Sequence, residues 1–325
     1  MEKVNLSNAD KKQFSVYYGG CWSTNIGNAF IDYGALHLMK QSNPLFYSER
    51  SPFYLHNGHT MVNHPDKNKY FNSGLEFKPK FASFSGMMAC PQFFLDQKEL
   101  LADLKKEGIP IILNGVGGES YTDDEIRQVR ILFKELNIKG FISRDDITFD
   151  AYNDLFELSY KGIDCAFFVP EISRFNLLSN LNKNYLVHNN DDINNWENNL
   201  VTINSIIDSK ASLRLIYSHH APEYIKPWMQ VNHDTMIAEL PDEYIMLYSQ
   251  SETTISTRVH ACITTLAFGG KAFLVHDTLR ASLFDVVGAK MIKEKPISLN
   301  LDLLSKKKDQ HRNSLKLIID TFSKD

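Results

Sequence analysis

Short apolar runs alternate with longer segments of helical periodicity along most of this chain. The runs that predict strands are Phe14–Tyr18, Phe81–Phe84, Pro110–Leu113, Gly140–Ser143, Asp164–Val169, Tyr185–His188, Leu213–Ser218, Glu252–Ser256 and Ala272–His276. The segments that predict helices are Ala29–Lys40, Leu95–Glu107, Asp123–Leu136, Thr148–Leu158, Trp196–Ser209, Tyr244–Gln250, Val259–Phe268, Leu279–Val287 and Arg312–Phe322. Because such alternation is typical of parallel sheets covered by helices, we predict an α/β fold.

The length of the chain, 325 residues, predicts two domains. A single hydrophobic core stops growing at roughly 250–300 residues. The polar stretch Ser179–Asn184 lies between two predicted strands, so we expect the boundary between residues 172 and 184. We assign residues 1–177 to a first domain and 178–325 to a second, whose last helix packs back on the first. A ligand would bind in the crevice where the carboxyl ends of the strands meet.

The composition is that of an ordinary globular protein and excludes several functional classes. Hydrophobic residues make up 43% of the chain, and 35 basic against 39 acidic residues leave no basic stripe for a nucleic acid. The four cysteines lack CxxC spacing, which argues against a zinc site and for a reducing compartment. With no signal core and no apolar stretch of about 20 residues, we expect a cytoplasmic protein, peripheral at most to the inner face of the membrane.

The strongest candidate for chemistry is the segment Ser256–Ile263. Here a predicted strand ends, a Ser or Thr is available to cap the turn, and Arg258 and His260 stand where helix amides are unpaired. Such a place attracts anions, and a guanidinium binds a carboxylate or phosphate with parallel hydrogen bonds. Histidine exchanges a proton near neutral pH. The alternative is that Arg258 pairs with an acid elsewhere in its domain and His260 is a capped surface histidine.

Two further arginines follow predicted strands. Arg144 is a candidate second cationic clamp, and Asp145 would hold its guanidinium or cap the following helix. Arg280 stands at a helix start, where a cation opposes the helix dipole and is therefore expected to meet an anion. The alternatives are a surface ion pair for Arg144 and a solvated side chain for Arg280.

Two glycine loops are candidate cleft or acceptor-binding segments. Asn25, Gly27 and Asn28 open a predicted helix, and Gly115 and Gly117 follow a predicted strand. Neither loop has phosphate-loop or dinucleotide spacing, and turn chemistry also explains both. No metal is expected, because the clustered histidines lack metal-ligand spacing; they are His56, His59, His64, His219 and His220. The role of His219 and His220 stays open.

Taken in order, these segments resemble the polysaccharide pyruvyltransferase family over roughly residues 14–290. The segments that carry the resemblance are Asn25–Asn28, Asn114–Gly117, Ile142–Asp145, Asp164–Phe167, Ser256–Ala261 and Gly269–Lys271. The most specific of them is the R-x-H-A sequence that begins at Arg258. The resemblance implies two Rossmann-like domains that face each other across a cleft, as in two-domain (GT-B-like) glycosyltransferases.

The resemblance also implies an activity. Members transfer the pyruvyl group of phosphoenolpyruvate to sugar hydroxyls, which gives a pyruvate ketal and phosphate without a further cofactor. Position by position, it implies that Arg144 and Arg258 bind the donor and that His260 is the acid–base residue. Arg280 falls where another basic group, often lysine, is held. The acceptor would be a saccharide of a surface or exported polysaccharide, free or lipid-linked.

The chain departs from the family pattern at three places. Asn28 stands where an acid is common, Ser85–Met88 replaces a glycine run, and Gly270-Lys271 replaces a frequent Gly-x-Pro. The acceptor sugar, the hydroxyls that carry the ketal and the oligomeric state therefore stay open. Two other functions also stay open, a nucleotide-sugar-dependent glycosyltransferase and a non-catalytic carbohydrate-binding protein, because a fold does not fix a function.

Overall fold

A computed structural model of the chain describes residues 15–19, 25–42, 46–49, 79–189, 212–216, 235–236, 238 and 240–322. Several predictions made from the sequence lie outside these residues. They concern the helix Trp196–Ser209 and the histidines His56, His59, His64, His219 and His220.

Six parallel strands form the first sheet, in the order β2-β1-β3-β4-β5-β6. They are β1 (Ser15–Tyr18), β2 (Phe46–Glu49), β3 (Ala82–Ala89), β4 (Ile111–Gly118), β5 (Ile138–Ser143) and β6 (Ser159–Lys161). Strands β3 and β4 extend beyond their predicted ends, because each continues through a glycine at a shift of register. Gly86 has a φ of 89° and Gly115 a φ of 66°, which favour glycine.

Five parallel strands form the second sheet, in the order β11-β10-β7-β8-β9. They are β7 (Tyr185–Asn189), β8 (Ser212–Ile216), β9 (Thr235–Met236), β10 (Ser251–Ser256) and β11 (Lys271–Leu274). The predicted strands at these positions are confirmed to within a few residues. The α/β character of the chain, with helices between parallel strands, is likewise confirmed.

Nine α-helices lie among the described residues. They are α1 (Ile26–Ser42), α2 (Pro91–Asp96), α3 (Lys98–Lys106), α4 (Asp123–Lys134), α5 (Asp146–Tyr152), α6 (Pro241–Ser249), α7 (Val259–Ala267), α8 (Ser282–Asp285) and α9 (Leu301–Phe322). Thr122 caps α4 as expected, since its hydroxyl accepts a hydrogen bond from the Glu125 amide at 3.2 Å. The single helix predicted for Leu95–Glu107 is two helices, α2 and α3.

The strand predicted for Asp164–Val169 is wrong, because this segment is a 3₁₀ helix over Cys165–Glu171. Asp164 begins it: its Oδ1 accepts a hydrogen bond from the Ala166 amide at 2.9 Å. The segment reads as a strand because residues 165–169 are all buried, and full burial removes the periodicity that separates a helix from a strand. Pro170 lies inside the helix instead of ending a strand.

One hydrophobic core joins the two halves of the chain. It contains Phe30 and Leu38 of α1, Phe167 of the 3₁₀ helix and Ile263 of α7, all nearly fully buried. Helix α1 approaches the 3₁₀ helix so closely that a Cβ atom on Gly34 would overlap the Cys165 carbonyl. A second core lies on the other face of the first sheet, beneath α2, α3 and α4.

The last helix, α9, returns to the first sheet after the chain has completed the second, as expected from the sequence. Ile318 fills the space above Gly140 of β5. His311 is fully buried; its Nδ1 accepts a hydrogen bond from the Ile163 amide at 3.1 Å, and its Nε2 lies 2.7 Å from Asn114 Oδ1. Because an amide can only donate, Nδ1 is unprotonated and Nε2 donates to Asn114.

Candidate active site

The residues singled out in the sequence follow the carboxyl ends of strands from both sheets. Arg144 comes directly after β5, and Arg258 lies two residues beyond β10. Arg280 lies in a short 3₁₀ helix, Leu279–Ala281, that follows β11. His260 lies in the first turn of α7. The contacts of these four side chains show which of them the fold brings together.

Asp164 joins Arg144 to His260. Its Oδ2 lies 3.0 Å from Arg144 Nη1 and 3.5 Å from His260 Nε2, and the carboxylate is fully buried. Burial alone would raise the pKa of Asp164, but the hydrogen bond and charge of His260 and the charge of Arg144 outweigh it and lower the pKa to about 2. One buried carboxylate therefore holds a cation from the first half and an imidazole from the second.

The Arg144 guanidinium lies flat against the backbone of Gly117 on β4. A Cβ atom on Gly117 would overlap Arg144 Nε, and this buried Nε has no hydrogen-bond partner in the described part of the chain. Burial works to lower the pKa of Arg144, but the charges of Asp164, Tyr121 and Asp145 together raise it. The guanidinium is thus a permanent buried cation.

Asp145 and Tyr121 form a second layer beside Arg144. Asp145 Oδ1 accepts a hydrogen bond from the Thr148 amide at 2.7 Å and so caps α5, as the sequence indicates for this residue. The Tyr121 hydroxyl donates to Asp145 Oδ2 at 2.9 Å. Tyr121 has a φ of 53°, an uncommon conformation for a non-glycine residue that tends to occur at functional sites.

Arg258 is the N-cap residue of α7, which its side chain does not cap. The expected serine contact is present in another form: Ser256 Oγ accepts a hydrogen bond from the Arg258 amide itself at 2.8 Å. This bond fixes the turn between β10 and α7. The turn sets the positions of Arg258 and His260 together.

Arg280 is close enough to the other two arginines for their charges to affect it. Burial lowers the pKa of Arg280, and the charges of Arg144 and Arg258 lower it further. The pKa of His276 is lowered first by its partial burial and then by Arg280 and Arg258. The three arginines therefore lie in one region, where the charges of Arg144 and Arg258 disfavour the charge of Arg280 and those of Glu119 and Tyr121 favour it.

The first glycine loop reaches His260. A Cβ atom on Gly27 would lie 2.9 Å from His260 Nδ1, so the imidazole packs on the start of α1. The loop is held by the Asn25 side chain, whose Oδ1 accepts a hydrogen bond from the Gly27 amide at 3.1 Å, and by the Asn25 carbonyl, which accepts from the Asn28 amide at 3.0 Å. In the second loop, Gly117 contacts Arg144, whereas Gly115 contacts Cys165.

Two residues of this arrangement were not predicted as site residues. Asp164 was assigned to a strand, although it stands in a segment that carries the family resemblance. Tyr121 gave no signal in the sequence, since its left-handed backbone depends on the packing of the β4–α4 connection.

In the described part of the chain, no three His, Cys, Asp or Glu side chains lie close enough to hold a metal ion. None of the described helices has the length and apolar character needed to cross a membrane.

Comparisons with known proteins give a family match and a set of structural neighbours. A sequence profile described as Polysaccharide pyruvyl transferase matches residues 25–275. No curated protein matches the chain. Among solved structures, the UDP-GlcNAc 2-epimerase of Neisseria meningitidis, bound to UDP-GlcNAc, is similar at 12% identity and a TM-score of 0.53, over 96% of this chain and 100% of the epimerase.

The UDP-GlcNAc 2-epimerase of Methanocaldococcus jannaschii, in complex with UDP-GlcNAc and UDP, is similar at 13% identity and a TM-score of 0.54, over 96% and 99% of the two chains. At such low identity the likeness concerns the fold alone. The fold is α/β with two Rossmann-like domains, of the GT-B-like kind, which confirms the fold class expected from the sequence.

Proposed function

Because the chain belongs to the polysaccharide pyruvyl transferase family and is therefore a transferase, we propose that it uses phosphoenolpyruvate as donor. In this proposal it moves the pyruvyl group onto sugar hydroxyls of a polysaccharide or its precursor, and a pyruvate ketal and phosphate are formed. The observation that carries the proposal is the convergence of Arg144, Arg258 and Arg280 beside His260.

The charge of this region suits the proposed donor. Phosphoenolpyruvate carries a carboxylate and a phosphate, and guanidinium groups bind both with charge-assisted hydrogen bonds. Burial, and after it the charges of Arg144 and Arg258, lower the pKa of Arg280, and an anion placed among the three arginines would offset this charge repulsion. We assign donor binding to Arg144, Arg258 and Arg280 on this basis.

His260 is the residue we assign to proton transfer. In the first step, a sugar hydroxyl adds to C2 of the donor while the imidazolium delivers a proton to the C3 methylene, which becomes a methyl group. The developing positive charge at C2 is oxocarbenium-like. The proton of the first hydroxyl passes to the imidazole, which regenerates the acid. In the second step, another hydroxyl displaces the phosphate and closes the ketal, and its proton leaves with the phosphate. A positioned general acid contributes on the order of 10²–10⁴ in rate.

The acceptor is proposed to enter from the side of α1, where Asn25, Gly27 and Asn28 lie beside His260. We assign this loop, together with Gly115 and Gly117, to the cleft that positions the saccharide, free or lipid-linked. We further propose that the protein works in the cytoplasm, peripheral to the membrane where the acceptor is lipid-linked. The proposal requires no metal and no cofactor beyond the donor.

Replacement of His260 by Ala is the direct test. We expect the variant to fold, as judged by circular dichroism and thermal unfolding, and to release no phosphate when phosphoenolpyruvate and acceptor are supplied. Arg258→Ala should instead raise the KM for phosphoenolpyruvate most strongly, because it removes a donor contact and leaves the acid in place. A fully active His260→Ala protein, or an unchanged KM in Arg258→Ala, would refute these two assignments.

Ligand-induced thermal stabilisation separates this function from the glycosyltransferase alternative, to which the UDP-GlcNAc-bound neighbours give some support. A ligand that binds only the folded protein raises its stability in proportion to the logarithm of its concentration over Kd. We expect phosphoenolpyruvate to raise the thermal unfolding midpoint and UDP-sugars to leave it unchanged. Stabilisation by UDP-sugars together with transfer of their sugar would overturn the proposal.

A further inference from the structure

Asp164 contacts both halves of the site, and its position allows an inference that rests on the proposed function of His260. The carboxylate is fully buried, and each of its oxygens has a partner. Oδ1 accepts a hydrogen bond from the Ala166 amide at 2.9 Å, and Oδ2 faces Arg144 Nη1 at 3.0 Å and His260 Nε2 at 3.5 Å. The contact with Nε2 is an ion-pair contact and not a hydrogen bond, and Nε2 has no hydrogen-bond partner among the described residues.

We propose that Asp164 is a positioning residue, which fixes the neutral His260 ring in the form protonated at Nε2 and leaves Nδ1 as the nitrogen that exchanges the catalytic proton. An ionised carboxylate can only accept hydrogen bonds, so the nitrogen that faces it carries hydrogen. The other ring nitrogen, Nδ1, faces Gly27 at the start of α1. The reacting proton is therefore exchanged on the side of the glycine loop.

The arrangement also explains why a buried carboxylate stands beside the site. Arg144 is a permanent cation beside the carboxylate, and together with His260 it lowers the pKa of Asp164, which favours the ionised form against burial. The imidazole can then gain and lose a proton at Nδ1 while Nε2 stays 3.5 Å from the carboxylate. A carboxylate that orients an imidazole by its tautomer is worth orders of magnitude in rate in other enzymes.

The Asp164→Asn substitution replaces the acceptor that faces His260 Nε2 by a hydrogen-bond donor. With its oxygen still facing the Ala166 amide, the new side chain turns an NH₂ group toward His260, which can donate to Nε2 and cannot accept from it. We expect the neutral ring to change to the Nδ1-protonated form. We expect kcat to fall by about 10²–10⁴-fold, the range of a general-acid contribution, with a smaller change in the KM for phosphoenolpyruvate.

The matched control is Asp145→Asn. Asp145 is also a buried acid that begins a helix and affects Arg144, but its contacts are with Thr148 and Tyr121 and not with His260. The nitrogen-15 spectrum of the histidine rings, recorded at a pH where they are neutral and assigned with His260→Ala, reports the tautomer directly. We expect the His260 signals to change in Asp164→Asn and to stay in Asp145→Asn.

The spectrum of the unmodified protein decides the inference even where Asp164→Asn fails to fold. An Nε2-protonated ring supports it, and an Nδ1-protonated ring overturns it, as does an unchanged ring in a folded Asp164→Asn protein. The measurement needs neither donor nor acceptor. Failure of pyruvyl transfer would therefore disprove the proposed function alone. An Nδ1-protonated His260 ring in an active enzyme would disprove this inference alone.

Discussion

At the scale of single residues, the contact between Gly27 and His260 makes position 27 a test of the site. Gly27 lies in the first turn of α1 without a left-handed backbone, so Ala is compatible with its conformation. Ala also favours the helical state by up to about 1 kcal/mol over Gly. Its Cβ, however, would lie 2.9 Å from His260 Nδ1 and force the imidazole to move.

We therefore expect Gly27→Ala to leave the thermal unfolding midpoint nearly unchanged, because the gain in helix propensity is offset by the crowding of His260, and to lower kcat. Misplacement of a catalytic group by about 1 Å can cost on the order of 10²-fold in rate. Unfolding by circular dichroism and phosphate release measure the two quantities separately. A stable variant with undiminished kcat would mean that His260 does not react in the position described here.

Only some residues of the candidate site could be identified from the sequence. Arg144, Arg258, Arg280 and His260 could be selected because each follows a predicted strand, and the carboxyl ends of parallel strands share an edge. Asp164 could not, because its role depends on two partners that are distant along the chain. Local sequence showed only the apolar run that follows it, which predicted a strand.

At the scale of elements, the packing of α1 on the 3₁₀ helix Cys165–Glu171 gives the matching experiment. Gly34 lies in the same helix as Gly27, and a Cβ there would overlap the backbone carbonyl of Cys165. A backbone atom cannot rotate aside, so we expect Gly34→Ala to destabilise the protein by about 1–3 kcal/mol or more.

Denaturant unfolding of Gly34→Ala and Gly27→Ala, side by side, checks this contrast. Both substitutions replace Gly by Ala in the same helix, Gly27 in its first turn and Gly34 in its interior, where the gain in helix propensity is the larger. Gly34→Ala should lose stability while Gly27→Ala keeps it. Equal stabilities would contradict the close approach of α1 to the 3₁₀ helix.

Helix α4 was predicted well because it has one exposed face and begins at a recognisable cap, Thr122. Fully buried strands such as β1 and β4 were found instead from short apolar runs bounded by turn residues. The segment Asp164–Val169 was misassigned because every residue in it is buried, so no polar face marked its period. The glycines of β4 suggested a loop, whereas Gly115 makes an irregularity within the strand.

At the scale of the whole molecule, the return of α9 makes stability depend on pH. Burial lowers the pKa of His311 from the ordinary 6.5 to about 4, against the opposing charge of Asp164. Between these two values the unfolded chain binds the proton and the folded protein does not, so the free energy of unfolding falls as the pH falls. The loss from this one residue approaches about 3 kcal/mol by pH 4.

Equilibrium unfolding in urea at several pH values between 7 and 4 measures this slope. The comparison is His311→Gln, which removes the titrating group, while His188 titrates in the same direction in both proteins. We expect the variant to be less stable at pH 7, because Asn114 and Ile163 lose their partner, and to have the flatter slope. Identical slopes would show that His311 is not buried in the neutral form.

The course of the chain restricts how the two halves can move. The backbone passes from the first sheet to the second between β6 and β7, and passes back between Ile297, which pairs with Ala272 of β11, and the start of α9. Two halves that are joined by two chain crossings turn most easily about the line through those crossings. A relative motion of the two halves would thereby turn about the line through these crossings, and the shared hydrophobic core around Phe30 and Ile263 would oppose it.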